Sequence, residues 1–343
     1  MEYFNFKNDK YFYFIDSNRI VNGGVKDLFL EYASNKKIEW EDTPVDEDII
    51  GSRVRHLKQI IFESTQDCTL RCRYCTYGGS YLHQRKNTAK YLSFDTARKT
   101  IDYIGGIIST RSKKELIIGF YGGEPLLNFD TIEQIVDYSK KLFPGWELRF
   151  TVTTNGTLLE DRIIHFLVKN NFSLMVSLDG SGKNHDAKRI FPDGRGSFDL
   201  IMENMKKIKD IDNDYYQDQV SYFVTYSKDL PVADVYRFFL TDERVNKNTV
   251  NFNYVNHLYT DYYNRYPYDA SLVNTQMGEI LRTISEKKIQ GNPLAPVEEE
   301  LLNQIIDLYK KTQKRRLSFL SGTCLFDNRL YVDADGVFHI CEK

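Results

Sequence analysis

The sequence predicts an α/β fold, an open or partial barrel of parallel strands with helices between them. From residue 57 onward, short apolar runs rich in β-branched and aromatic residues alternate with stretches whose apolar residues recur every three to four positions. A strand, a helix and a second strand in succession form a right-handed unit with parallel strands. Six such strands are present, which fit a partial (β/α)6 barrel better than a complete barrel of eight.

The elements follow one another in a regular order. Strands are predicted at residues 57–64, 116–121, 148–154, 172–178, 220–226 and 250–255. Helices are predicted at residues 94–108, 130–143, 160–168, 197–208 and 232–240, and Ser93 is the N-cap candidate of the first. Two more helices are expected at residues 276–289 and 297–314, on either side of a Gly291-Asn-Pro293 break.

This pattern divides the chain into four segments. Residues 1–54 predict a small α+β unit, with strands at 3–6 and 10–16 and a helix at 25–34. That unit either caps the barrel or docks a peptide by adding a strand to a sheet edge. Three segments remain: the barrel at 55–260, a helical linker at 261–318 and a C-terminal region at 319–343.

Composition and charge exclude several classes of function. With 46 basic and 48 acidic residues, the net charge of -2 carries no polyanion-binding signature, so nucleic acid is not an expected partner. No apolar run approaches the ~20 residues that a membrane span needs. The amino terminus lacks the features of a secretory signal, so we expect a cytoplasmic protein with reduced thiols. Three of its five cysteines fall within eight residues, which favours metal binding over disulfides.

A cysteine-rich loop directly follows the first predicted strand. Cys68, Cys72 and Cys75 have the spacing C-x3-C-x2-C, with an aromatic residue, Tyr74, before the last one. Three thiolates can hold three irons of a [4Fe–4S] cube and leave the fourth iron open to another ligand. Two alternatives remain from the residues alone: a zinc site completed by His83, although its spacing is unusual for zinc, and three unrelated buried cysteines.

Three further strands end in polar motifs. The second strand ends in Gly122-Gly123-Glu124, the third in a motif containing Asn155, and the fourth in one containing Ser177 and Asp179, with Arg189 further on. Glycines allow close backbone approach, and a carboxylate suits a cation in a partly dry pocket. Successive parallel strands present their carboxyl ends at one face, where α/β barrels build active sites.

Together these motifs resemble the radical S-adenosylmethionine (SAM) superfamily, over roughly residues 55–255. The resemblance implies that the open iron chelates SAM and that one electron from the cluster cleaves SAM to a 5′-deoxyadenosyl radical. It also implies SAM-binding roles for the residues at the strand ends. These are Tyr74, Gly122, Gly123, Glu124 (which would receive the SAM ammonium), Asn155, Ser177, Asp179 and Arg189.

The C-terminal region resembles the opening of a SPASM or twitch extension, which binds auxiliary iron–sulfur clusters. Cys324 and Cys341 frame a C-x11-G-x4-C pattern, with Gly336 in the turn of a hairpin predicted at residues 330–332 and 337–340. Two thiolates do not complete a four-iron cluster. Because the sequence ends at Lys343, we expect either that further ligands lie beyond it or that this site is degenerate. An ordinary hairpin with two free cysteines is the alternative.

The favoured function from this resemblance is maturation of a ribosomally synthesised precursor peptide, with thioether crosslink formation as the expected chemistry. A formylglycine-forming maturase of anaerobic sulfatases is the nearest alternative, and a non-catalytic zinc or iron–sulfur module is another. The expected partners are a precursor peptide and an external electron donor such as ferredoxin or flavodoxin. Asp261 and the neighbouring tyrosines are conceivable as a general base, but nothing in the sequence singles them out.

Overall fold

Three N-terminal strands pair into an antiparallel sheet: β1 (Glu2–Phe6), β2 (Asp9–Phe14) and β3 (Arg19–Asn22). The computed structural model describes the side chains of residues 54–81, 85–109, 114–255, 260–306 and 329–339, and the backbone alone of residues 2–6, 9–14, 19–22 and 307–312. The first two strands were predicted and the short third was not. The helix predicted at 25–34 lies outside the described residues.

The barrel wall consists of six strands in which every neighbouring pair is parallel. These are β4 (Gln59–Thr65), β5 (Glu115–Gly122), β6 (Glu147–Thr154), β7 (Ser173–Ser177), β8 (Val220–Tyr226) and β9 (Thr249–Tyr254). Each lies within two residues of its predicted position at both ends. The predicted parallel α/β fold is therefore confirmed.

Two C-terminal strands extend the same sheet. β10 (Arg329–Val332) pairs in parallel with β4, and β11 (Phe338–His339) pairs antiparallel with β10. The resulting eight-stranded order is β11-β10-β4-β5-β6-β7-β8-β9, and within the described residues its two edge strands do not pair with each other. The predicted hairpin is present, and it continues the barrel sheet.

The helices fill the connections. They are α1 (Phe94–Ile108), α2 (Phe129–Leu142), α3 (Asp161–Lys169), α4 (Gly182–Asp186), α5 (Phe198–Ile211), α6 (Asn213–Gln219), α7 (Val232–Thr241), α8 (Tyr262–Arg265), α9 (Ala270–Ile289) and α10 (Pro296–Thr312). A 3-10 turn, Pro125–Asn128, precedes α2. The N-terminal sheet lies beside the last two, with β1 near α9 and β3 near α10.

Side-chain caps mark where two of the helices begin. Ser93 accepts a hydrogen bond from Thr96 N at 3.1 Å and caps α1 as predicted. Helix α9 starts at Ala270, capped by Asp269, six residues before its predicted start. Its first turns bury little apolar surface, since its buried residues are Ile280 and Ile284, so hydrophobic periodicity detected only its second half.

A buried aromatic row joins the central strands on one face of the sheet. Phe62, Phe120, Phe172 and Phe150 form successive pairs with ring centroids 6.5, 6.0 and 5.4 Å apart. All four are at most 2% exposed. Burial of each such side chain stabilises the folded state by about 1.5–3 kcal/mol. The row fixes the register of the strands and so the relative heights of their carboxyl ends. No helix within the described residues is long and apolar enough to cross a membrane.

Candidate active site

The cysteine loop, residues 66–79, follows β4 directly at the carboxyl edge of the sheet. Cys72 O accepts a hydrogen bond from Cys75 N at 3.0 Å, so the second and third cysteines share one tight turn. Backbone hydrogen bonds to residues 188–190 secure the loop on its other side. Cys68, Cys72 and Cys75 are half-buried and free of disulfides.

The surroundings of these thiols favour the neutral form. Burial raises the pKa of Cys68 to about 12, and the negative charge of Glu124 adds to that effect. Burial likewise raises the pKa of Cys72 to about 12 and also raises the pKa of Cys75. Thiols bind metal only as thiolates. Deprotonation here therefore requires a cation to replace the protons, and an iron–sulfur group supplies such a charge.

Nitrogen donors approach the cysteine sulfurs, and for Cys75 they are the backbone nitrogens of Tyr77 and Gly78. Leu70 N donates to Cys68 Sγ at 3.5 Å, and the Asn155 amide donates to the same sulfur at 3.7 Å. Arg189 Nη1 lies 4.0 Å from Cys72 Sγ. Such donors stabilise thiolates and tune the potentials of iron–sulfur clusters. The donor set therefore fits an iron–sulfur cluster. Within the described residues, no three His, Cys, Asp or Glu side chains form a group suited to one metal ion.

The two glycines at the end of β5 let the chain approach itself. A Cβ on Gly122 would lie 2.2 Å from Thr65 O, and one on Gly123 would lie 2.0 Å from Asp67 O. Gly123 N donates to Thr65 O at 2.8 Å, and Glu124 N donates to Asp67 O at 2.7 Å. The glycines thus clamp the tip of β5 to the start of the cysteine loop.

Glu124 is fully buried and joins two strand tips. Its carboxylate accepts hydrogen bonds from Thr154 Oγ1 and Asn155 N, both at 2.7 Å, and from Leu126 N at 3.1 Å. Burial raises its pKa to about 7, and the three hydrogen bonds oppose that shift. The carboxylate is therefore a buried support that holds the strand ends together, and it is not exposed in the site.

Asn155 connects the tip of β6 to the cysteine loop. Its amide nitrogen also donates to Thr69 Oγ1 at 2.9 Å, and its carbonyl oxygen accepts from Thr157 N at 3.0 Å and from Thr157 Oγ1 at 2.7 Å. The two threonine hydroxyls lie 2.9 Å apart. Neither threonine was singled out from the sequence, because threonine at a strand end carries no distinctive pattern.

Ser177, the last residue of β7, differs from its neighbours. Its hydroxyl makes no hydrogen bond with any residue that the structure describes, although the residue is only 8% exposed. The hydroxyl oxygen is not fully enclosed, so it keeps some surface accessible to solvent. An unpaired but accessible hydroxyl at the carboxyl edge of the sheet is available for a ligand.

Asp179 is the centre of a buried charged network. It accepts hydrogen bonds from the Tyr74 hydroxyl, from Arg189 Nε at 2.9 Å and from Thr225 N at 2.9 Å. Arg189 in turn lies over the Tyr74 ring at 5.4 Å. Three residues predicted from separate motifs thus meet in one network, which joins the ends of β7 and β8 to the cysteine loop.

His185 holds the segment that carries Arg189. Its Nδ1 accepts a hydrogen bond from Asp179 N at 3.2 Å, and its Nε2 lies 2.9 Å from Ser197 Oγ, which donates to Arg189 O at 3.0 Å. Burial lowers the pKa of His185 to about 3, so the ring stays neutral at physiological pH. A neutral ring with both nitrogens bonded has a positioning role.

An aromatic wall adjoins the network, and it includes tyrosines that neighbour Asp261 in the sequence. The buried Lys188 binds Asp229 at 2.6 Å and lies 3.9 Å from the centre of the Tyr266 ring. Tyr262 packs in the same cluster as Tyr74, beside Cys72. The many tyrosines near residue 262 were visible in the sequence, but periodicity could not show which faced the site.

Glu63 attaches the C-terminal strands to the base of the cysteine loop. This carboxylate, 1% exposed, accepts hydrogen bonds from Gln66 Nε2 at 2.9 Å, from Tyr331 OH at 3.1 Å and from Ala334 N at 3.3 Å, and it pairs with Arg85. No motif in the sequence marks Glu63, because its partners lie as far as 271 residues away.

Some predicted residues fall elsewhere. Cys324, Cys341 and His83 lie outside the described residues, so the auxiliary site and the zinc alternative stay sequence predictions. Asp261 is described: it is exposed and pairs with Arg265 at 3.0 Å on α8. It does not belong to the buried network.

Comparisons with known proteins agree with this geometry. The family model of the radical SAM superfamily matches residues 62–235, just over half of the 343 residues. The match runs from β4 to α7 and thus contains the cysteine loop and all the strand-end residues described above.

Two curated relatives and one solved structure are informative. The chain is 26% identical over 215 residues to the radical SAM cyclopropyl synthase TigE of Paramaledivibacter caminithermalis, covering 59% of this chain and 44% of that protein. It is 28% identical over 156 residues to a cysteine-type anaerobic sulfatase-maturating enzyme of Clostridium novyi, covering 45% of this chain and 40% of the enzyme. The chain thus spans less than half the length of these relatives.

The structure of anSMEcpe with bound AdoMet and the Cp18Cys peptide superposes with a TM-score of 0.61 at 18% identity. The superposition covers 83% of this chain and 74% of that one, and it supports the fold alone. The cysteine loop, the converging strand ends and the family match lead to one conclusion. The chain belongs to the radical SAM superfamily of enzymes, whose cofactors are a [4Fe–4S] cluster and SAM.

Proposed function

We propose that this chain cleaves SAM reductively and uses the resulting 5′-deoxyadenosyl group to modify a ribosomally synthesised peptide. The observation that carries the proposal is the convergence of four strand ends on the cysteine loop. Asn155 reaches Cys68, Arg189 reaches Cys72, and Asp179 binds Tyr74. The three cysteines hold three irons in this proposal, and the fourth iron remains for SAM.

When bound, the cluster supplies one electron and SAM supplies the group that removes a hydrogen atom from the substrate. The chain's own residues hold and orient these groups. The proposed SAM pocket comprises Tyr74, Gly122, Gly123, Glu124, Asn155, Ser177, Asp179 and Arg189. In this proposal Ser177 contacts SAM directly, and Glu124 and Asn155 also fix the cysteine loop and the strand ends around it.

Because the Glu124 carboxylate is already bound by three donors, its proposed contact with the SAM ammonium needs its remaining lone pairs. A carboxylate has about four such positions, so one remains for a ligand. Its pKa of about 7 falls when a cation approaches, since a nearby positive charge favours the ionised form.

The proposal of a peptide substrate is supported by the similarity to the anSMEcpe structure, which contains a bound Cp18Cys peptide. The favoured chemistry is a thioether bond between a cysteine sulfur and a carbon of another residue.

Cys324 and Cys341 would contribute to an auxiliary cluster in a region comprising residues 319–343. Residues 1–54 would dock the leader, residues 55–260 would form the catalytic barrel, and residues 261–318 would link barrel and extension. The proposed setting is the cytoplasm, with ferredoxin or flavodoxin as electron donor.

A second candidate function is formation of formylglycine in a sulfatase. The similarity to a cysteine-type sulfatase-maturating enzyme favours it. Both candidates share the cleavage of SAM, so the reaction product must distinguish them. A thioether links two residues of one peptide, whereas formylglycine leaves an aldehyde at a single cysteine position.

The decisive experiment is an anaerobic incubation of the reconstituted protein with SAM and dithionite. Release of 5′-deoxyadenosine, lost when Cys68, Cys72 and Cys75 are replaced by Ala, would support the proposal. Absence of release from a fully reconstituted wild-type protein would refute it. Mass analysis then separates the candidates, with a cysteine-rich precursor peptide encoded nearby in one arm and a sulfatase-derived cysteine peptide in the other.

A further inference from the structure

Two arginines lie on the outer surface of the cysteine loop. Arg71 and Arg73 flank Cys72 and are both exposed. The Arg73 side chain makes no hydrogen bond or ion pair with any residue that the structure describes. Arg71 Nη1 donates to two backbone oxygens, those of Cys68 at 2.7 Å and Leu70 at 2.9 Å, and within the same described residues it pairs with no carboxylate.

The backbone of both arginines is held against the segment after β7. Arg71 N donates to Ile190 O at 2.7 Å, and Arg73 N donates to Lys188 O at 3.0 Å. Cys72 is half-buried between them, whereas the side chains of Arg71 and Arg73 are exposed to solvent.

The neighbouring acids that the structure describes do not pair with these arginines. Asp193, in the adjoining hairpin, pairs with Arg195 at 2.7 Å, and Asp229 pairs with the buried Lys188 at 2.6 Å. Asp67 and Asp186, the remaining acids of the two segments, are half-buried and accept backbone hydrogen bonds. Because the chain as a whole has a net charge of only -2, attraction of an acidic protein depends on local charges such as these arginines.

We propose that Arg71 and Arg73 form the docking surface for an acidic protein that carries single electrons. This inference rests on the proposed function, since it assigns the entry of the electron to the same cysteine loop. The carrier loses one electron and the cluster gains it, and no bond is made or broken. The surface lies one residue from Cys72 along the chain, which gives a docked carrier a short path to the cluster. Complementary charge raises association rates by about 10-fold or more at low salt.

The test compares two routes of cluster reduction. The probe is a purified, strongly acidic ferredoxin, reduced beforehand and mixed anaerobically with the reconstituted enzyme, and the readout is the loss of visible cluster absorbance. Arg73→Glu should lower the second-order rate constant about 10-fold at ~50 mM salt and much less at ~500 mM, because salt screens the charges. Arg73→Lys should keep most of the rate. Reduction by dithionite, and dithionite-driven cleavage of SAM, should be unchanged.

A double variant at the opposite end of the barrel serves as the matched control. Lys114 precedes β5 and Lys141 lies in the last turn of α2, both exposed at the amino edge of the sheet. Reversing both charges should leave reduction by ferredoxin unchanged. Equal rates for Arg73→Glu and wild type would overturn the docking surface. An equal loss of the reduction rate in the control variant would overturn it too. So would a defect confined to peptide binding, because that result would make the arginines part of a substrate-binding surface. Failure of dithionite-driven cleavage in wild type would instead refute the proposed function.

Discussion

The side-chain amide of Asn155 donates a hydrogen bond to the sulfur of Cys68 at 3.7 Å. The same amide binds Thr69, while the backbone nitrogen of Asn155 binds the buried Glu124. The end of β6 therefore fixes the position of the first cysteine and also places a donor against its sulfur. A hydrogen bond to a cluster sulfur makes reduction easier, because it stabilises the added negative charge.

Asn155→Asp tests this relationship with almost no change of shape. The variant keeps an oxygen for Thr157 but replaces the donor near Cys68 with a negative oxygen. Loss of a charge-assisted hydrogen bond worth about 1.5–3 kcal/mol should lower the reduction potential of the cluster by about 60–130 mV for one electron. A redox titration followed by electron paramagnetic resonance would measure it, with the exposed Asn292→Asp as control. An unchanged potential would contradict the prediction.

Ser177→Ala separates ligand binding from stability. Because the hydroxyl makes no hydrogen bond within the described residues, we expect the free energy of unfolding to change by less than about 0.5 kcal/mol. Loss of one hydrogen bond to SAM should weaken its binding about 5- to 10-fold. Equilibrium binding of SAM to the reconstituted enzyme measures this effect. Ser173→Ala, at the other end of β7, should leave the affinity unchanged. If Ser177→Ala also binds SAM normally, its proposed contact is wrong.

Asp179→Asn should be severely destabilising. It leaves the buried guanidinium of Arg189 without its carboxylate, and breaking a buried ion pair in this way costs about 3–5 kcal/mol. The Tyr74 and Arg189 contacts with the cysteine loop should loosen as well, which lowers the iron content after reconstitution. Urea unfolding and iron analysis measure the two effects. Asp234→Asn breaks only an exposed pair with Arg237 and should cost at most about 1 kcal/mol. Comparable losses of stability in Asp179→Asn and Asp234→Asn would refute the central role of Asp179 in the buried network.

The buried His185 predicts a loss of stability in acid. Its folded pKa of about 3 lies below the ordinary value of 6.5, so the unfolded state binds the proton more tightly. The contribution of the neutral His185 ring to the free energy of unfolding is complete above pH 6.5 and declines as the pH falls towards 3. The loss of stability between pH 7 and pH 5 amounts to roughly 2 kcal/mol.

The corresponding measurement is urea unfolding of wild type and His185→Asn at several pH values. The variant should lose less stability than wild type on acidification, whatever its stability at pH 7. The exposed His165→Asn should show the wild-type slope. Parallel slopes for wild type and His185→Asn would show that the buried ring does not govern the acid response.

Local pattern predicted most of the barrel. The alternation of strands and helices placed β4 to β9, and Ser93 marked the start of α1. Pattern failed where elements were short or little buried, as for β3, α6 and the first turns of α9. Short elements carry too few residues for a period to show, and exposed turns have no apolar residues to repeat.

The sequence by itself determined the order of the motifs, and with it the superfamily and the edge of the sheet where they meet. Only the tertiary structure decided what each side chain does there. It shows that Glu124 is occupied by three donors, that the Ser177 hydroxyl binds no residue in the described part of the chain, and that Glu63 binds Tyr331 across 268 residues. It also joins β10 to β4. Such contacts depend on which distant segments the fold brings within about 3 Å, and separation along the chain leaves no local pattern from which to infer them.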